Sequence, residues 1–226
     1  MIKLLDILFE IKKIETDRKS VILGVKHYDK GDMKQVMDYI KANFSPDDKV
    51  VFSGEGGDPN NKYPTNSEGD ILYPEIKKYF KNLVNDSWDG KDFDVTDPSS
   101  YMFGAIQSMT GLDKITVQAA VYTHLVGEGQ DKNEIIQLLT PKGIEWIKSF
   151  GIKNPENPDA ADKQLMYDLC FPEDSGLPEQ DLSKATDAFN KARDINLVKK
   201  IKQYESQGYR VIALAGESHI DLINAL

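Results

Sequence analysis

Residues 210–221 read RVIALAGESHID. VIALAG is a short apolar run without polar alternation, the pattern of a strand buried on both faces of a parallel sheet. It closes on a glycine, with a histidine three positions later and an aspartate two after that. Working outward, residues 20–29 read SVILGVKHYD and repeat the order: apolar run, glycine, histidine, aspartate. Both are G-x-x-H-x-D. The chain has only three histidines, and two of them, His27 and His219, stand in this frame. With 16 glycines and 24 aspartates among 226 residues, composition alone gives a histidine both flanks at a frequency of about 0.0075. Two histidines in one frame point to a shared task.

A third run, KVVFSG at 49–54, has the same character. Between it and the first, GDMKQVMDYIKANF places Met33, Val36, Met37 and Ile40 on one helical face. Strand, helix, strand in this order predicts parallel strands joined by a right-handed crossover. LSKATDAFNKARDINLVKKIKQYESQG reads as a long amphipathic helix ending at Gly208, just before the last strand. The middle differs. From about 58 to 112 the chain is rich in Asp, Asn, Pro, Gly and Ser, with helical pieces at PEIKKYFKNLV and SYMFGAIQSM; from 113 to 170 it reads as helices. In MIKLLDILFEIKKIE, Leu4, Leu5, Leu8 and Ile11 follow a helical stripe. The expected fold is a single α/β domain. Its parallel or mixed central sheet comes from about 15–58 and 190–226, with a mostly helical insertion at about 59–189.

A formal charge of −9 and the lack of a basic stripe argue against wrapping nucleic acid or lying on an anionic membrane. Cys170 is the single cysteine, which excludes an internal disulfide and reads as a structural thiol in a reducing compartment. The first residues are broken by Lys3, Asp6 and Glu10, so they do not read as a signal peptide, and no run is long and apolar enough to span a membrane. A cytoplasmic location is the expectation. G-x-S-x-G and H-E-x-x-H are both missing, and SGEGGD at 53–58 carries carboxylates and no lysine, unlike a phosphate loop.

A glycine closing a buried strand lets the backbone turn sharply out of the sheet. A residue three positions on then stands over the carboxyl edge of the strands, where open parallel sheets bind ligands. With neighbouring strands, His27 and His219 face each other there, and Glu55 leaves the third strand at the same edge. Two imidazoles and a carboxylate suit a divalent metal (zinc, manganese, cobalt or iron) with positions open for water. The same trio without metal suits a general base held by a carboxylate. Asp29 and Asp221 read either as helix caps or as partners that fix the imidazole tautomers. His124, on an apolar helical face and outside the frame, reads as a core or surface histidine.

These residues resemble the superfamily that includes the Tiki and TraB proteins, the erythromycin-esterase-like enzymes and the haem-binding ChaN-like proteins. Tiki and TraB members carry a G-x-x-H after the first strand, a glutamate ending the next, and a second G-x-x-H late in the chain after an arginine-bearing helix. Here the matching residues are Gly24 to His27, Glu55, Arg193 and Gly216 to His219, within roughly 20–58 and 190–222. The resemblance implies a hydrolase cutting a peptide or small-molecule ester, metal-dependent in the Tiki-like case. His27, His219 and Glu55 then form the site, and Arg193 stabilises developing oxyanion charge. The alternatives are a metal-, haem- or small-ligand-binding protein on the same scaffold, a metal-free His/Glu esterase, and for Arg193 a surface ion pair with Asp194 or Asp187.

Overall fold

The computed structural model of the chain describes residues 11–26, 30–54, 68–88, 101–130 and 132–223. It divides into two compact units, one of residues 1–91 with 194–226 and one of residues 92–193. The first holds a five-stranded sheet built from β1 (Lys13–Glu15), β2 (Val21–Val25), β3 (Lys49–Gly54), β4 (Asn82–Ser87) and β5 (Arg210–Gly216). The strand order is β1-β2-β5-β3-β4. β5 runs parallel to both β2 and β3, and β4 parallel to β3; only β1 is antiparallel. The α/β class follows, and the first and last long strands are neighbours, as a shared histidine site needs.

Continuous apolar composition is explained by burial on both faces. On one face Val21, Leu23, Val50, Phe52, Ile212 and Leu214 meet helix α1 (Lys30–Asn43), through Met33, Val36, Met37 and Ile40, and helix α2 (Glu68–Tyr79), through Leu72 and Ile76. On the other face Ile22, Val51, Val211, Ala213 and Ala215 meet Leu197, Ile201, Ile220 and Ile223.

Two stretches depart from the expected elements. PEIKKYFKNLV reads as one helix, yet α2 ends at Tyr79 and β4 begins at Asn82. Its Asn82, Asn85 and Asp86 are poor helix formers, and pairing with β3 offers their backbone a ladder instead. At the other edge, Ile11 lies outside any helix and Lys13–Glu15 pairs with β2, Ile14 opposite Ile22. Leu4, Leu5 and Leu8 lie outside the described residues.

Gly24 of the first motif sits inside β2, not at a turn, with Ala215 as its partner on β5. A Cβ there would come within 2.7 Å of Ile220 Cγ1 and 3.3 Å of Glu217 Cα. The glycine therefore admits a helix against the strand, and that helix, Glu217–Ile223, carries His219. Gly24→Ala is expected to lower stability by about 1–3 kcal/mol through overpacking, read as a lower urea midpoint. An unchanged midpoint would mean the helix can back away freely.

The second unit is helical: α3 (Tyr101–Thr110), α4 (Lys114–Gly127), α5 (Lys132–Ile135), α6 (Pro141–Ser149), α7 (Ala160–Cys170), α8 (Pro172–Ser175) and the first half of α9 (Asp181–Ser206). Asp113 caps α4 and Asp159 caps α7 by accepting from backbone N–H groups, and the core gathers Phe103, Ile106, Tyr122, Ile147, Met166 and Phe189. Burial pushes the Cys170 thiol up to about 12, against a smaller downward pull from Thr186, as suits a structural cysteine. His124 is fully buried beside Phe189, with ring centroids 4.8 Å apart. Among the described residues no helix is long and apolar enough to cross a membrane.

Candidate functional site

The register of β2 against β5 sets the frame of the site. Gly24 pairs with Ala215 and Val25 with Gly216, so the strands that lead into the two histidine motifs are adjacent and parallel, with the motif glycines one position out of register. On the other side of β5, β3 ends at Gly54, the residue before Glu55. The chain leaving β2 is tied to α1, because Lys26 donates its backbone N–H to Asp32 Oδ2 at 2.7 Å. His27, Asp29 and Glu55 themselves lie outside the described residues.

His219 is described. Helix α10 (Glu217–Ile223) starts directly after Gly216, so the expected sharp turn is a strand running straight into a helix, with His219 in its first turn. The imidazole is mostly covered, and Nδ1 stands 2.8 Å from Oδ1 of Asp194, whose side chain is 1% exposed. An ionised carboxylate only accepts, so Nδ1–H donates to it and Nε2 is the nitrogen that Asp194 does not hold. A second wall is Trp88, the first residue after β4. Its ring meets the imidazole edge-on at 6.2 Å between centroids, and its Nε1–H donates to the Leu214 carbonyl at 2.9 Å. The β3–β5 ladder runs only to Ser53 opposite Ala213, and the indole bonds the carbonyl next along β5.

Helix α9 delivers Asp194. Asp194, Leu197, Ile201 and Tyr204 follow helical spacing on one face, and two of them enter the apolar layer under the sheet. Polar contacts fix the helix along its length: Asn196 donates to the Trp88 carbonyl at 2.8 Å, and the Tyr204 hydroxyl donates to Asp86 Oδ2 at 2.7 Å. Lys200 Nζ stands 3.5 Å from the same Asp86 oxygen.

The described partner of His219 Nδ1 is Asp194, a residue that the sequence reading did not single out for this contact, and the side chain of Asp221 is not described. Nor does Asp221 precede a helix as a cap, since it lies within α10. Asp194 is buried against His219. Arg193 is described with the helical unit, where its Nη1 is 3.4 Å from Asn190 Oδ1 and its guanidinium carbon 5.5 Å from the Phe189 ring centre. There it helps burial push the His124 pKa down to about 3. The sequence signal for Asp194 was available: a carboxylate in phase with an apolar helix stripe marks a buried charge needing a partner. Trp88 had no such signal, because only the strand order brings it to β5.

Ser53 Oγ is buried with no hydrogen-bond partner among the described residues, so it does not complete Asp194 and His219 into a serine triad. Nor do the described residues contain three His, Cys, Asp or Glu grouped to hold a metal; His27 and Glu55 are not among them. Of the three expected donors only His219 is described, and its setting suits a metal ligand. A carboxylate on one imidazole nitrogen, with the other nitrogen turned away, is how metal-ligating histidines are commonly held. Comparison with protein-family models, with curated proteins and with solved structures returns no match for this chain.

Proposed function

We propose that the protein is a hydrolase of ester or peptide bonds, working at the carboxyl edge of its sheet through His219, His27 and Glu55. The observation that supports this reading is the strand order: β2 and β5, which lead into the two G-x-x-H motifs, are adjacent and parallel with their motif glycines one position apart in register, and β3, which precedes Glu55, is the next strand over. His219, held by Asp194, presents Nε2 as a base or ligand of fixed orientation. A divalent metal (Mn, Co, Zn or Fe) would be held by His27, His219 and Glu55, and would supply a bound water acidified toward about pH 7. The substrate is a small-molecule ester or a peptide. The Asp194 contact equally favours a second reading, a metal-free esterase in which His219 is the general base and Asp194 its partner.

The test is metal content of protein purified without chelator or nickel affinity, together with turnover of an ester and peptide panel with and without chelator. About one metal per chain and turnover abolished by chelator are expected. Turnover that survives chelation in metal-free protein supports the metal-free esterase. Stoichiometric metal with no turnover of any substrate would replace the hydrolase by a binding protein.

A further inference from the structure

We infer that Asp194 is a positioning residue for His219, locking the ring in the Nδ1–H tautomer so that Nε2 is the nitrogen that works; its functional meaning rests on the role proposed for His219. The carboxylate is almost wholly buried, and only Oδ1 is matched, by His219 Nδ1 at 2.8 Å. Oδ2 is buried with no hydrogen-bond partner among the described residues. The same helix face sends Leu197 and Ile201 into an apolar layer with Ala213 and Ala215. A carboxylate there, half unsatisfied, works against stability, and an apolar side chain would suit the packing better. Such a liability in an otherwise consistent helix face is the mark of a residue retained for function.

What the carboxylate does to the ring follows from the geometry. Accepting from Nδ1–H, it selects one of two neutral tautomers and one of two ring flips, because a flipped imidazole would turn Cδ2–H toward Oδ1. Trp88 closes the other side, and it is itself pinned at both ends, by Leu214 through the indole and by Asn196 through the backbone carbonyl. The ring is left with one orientation.

The experiment uses the full chain with 15N-labelled histidine, at a pH where the imidazoles are neutral. Three histidines give three ring signals, and a His219→Gln variant identifies the one of interest. The parent is expected to show His219 protonated at Nδ1. In Asp194→Leu the signal should move to the Nε2–H tautomer, which free imidazole favours in water. In the same variant kcat should fall at least tenfold with KM within about twofold, while the melting temperature holds or rises. Asp194→Asn, whose carbonyl oxygen still accepts from Nδ1, should retain more of the tautomer and more of kcat. An Nε2–H tautomer in the parent, an unchanged tautomer in Asp194→Leu, or a melting temperature that falls in both variants would overturn the inference. The tautomer is read without substrate, so it decides the inference even where the parent turns over nothing on the panel.

Discussion

His219→Gln is expected to lower turnover by about 10³-fold while moving the melting temperature by only a few degrees. Glutamine keeps an amide donor that can reach toward Asp194, so the buried carboxylate is not abandoned. His219→Ala should lose as much activity and be less stable by about 1–3 kcal/mol, since Asp194 then stays buried with neither oxygen matched. Two variants equal in turnover and unequal in stability separate the catalytic role of the ring from its structural one. If His219→Gln retained more than about a tenth of parent turnover, His219 would not be the working imidazole.

Acid should weaken the helical unit through His124. The ring is fully buried, Glu128 Oε2 comes to 3.5 Å of Nε2, and neither ring nitrogen makes a hydrogen bond among the described residues. Burial first, and then the Arg193 guanidinium, push its pKa down to about 3 from 6.5. The folded pKa is depressed, so the neutral ring's contribution is complete above the unfolded value and is lost as pH falls from 6.5 toward 3. The ceiling on that loss is roughly 4–5 kcal/mol, at about 1.4 kcal/mol per pH unit. His124→Leu should flatten the slope between pH 6.5 and 4, and hold or raise stability at pH 7 by removing two unmatched polar atoms. One tryptophan lies in each unit, Trp88 by the sheet and Trp146 on α6, so 19F-tryptophan spectra during urea titration report the two separately. An acid slope carried by the Trp88 signal, or unchanged in His124→Leu, would refute this assignment.

What could be read from the sequence was what repeats or has a period. The β-branched runs at 20–25, 49–54 and 210–215 announced buried parallel strands, and α1 showed its inward face through Met33, Val36, Met37 and Ile40. β4 could not be read in the same way, because NLVNDS has neither alternation nor a continuous apolar run and is a strand only through pairing with β3. For the site, the histidine frame was legible and the reason for its glycine was not. Gly24 serves the close approach of α10, a contact between residues nearly two hundred positions apart that no local pattern reveals. Asp194 was in view beside Arg193. Its partner is set by which face of α9 lies on the sheet, so the tertiary fold makes that assignment.

The central claim is that the two G-x-x-H motifs serve one site, and a double-variant comparison tests it most directly. Turnover is measured for the parent, His27→Gln, His219→Gln and the double variant on the best substrate of the panel. Ligands of one metal, or members of one acid–base unit, fail together, so the double variant should fall within about threefold of the worse single one. Losses that multiply, each histidine contributing its full factor in the absence of the other, would contradict a shared site.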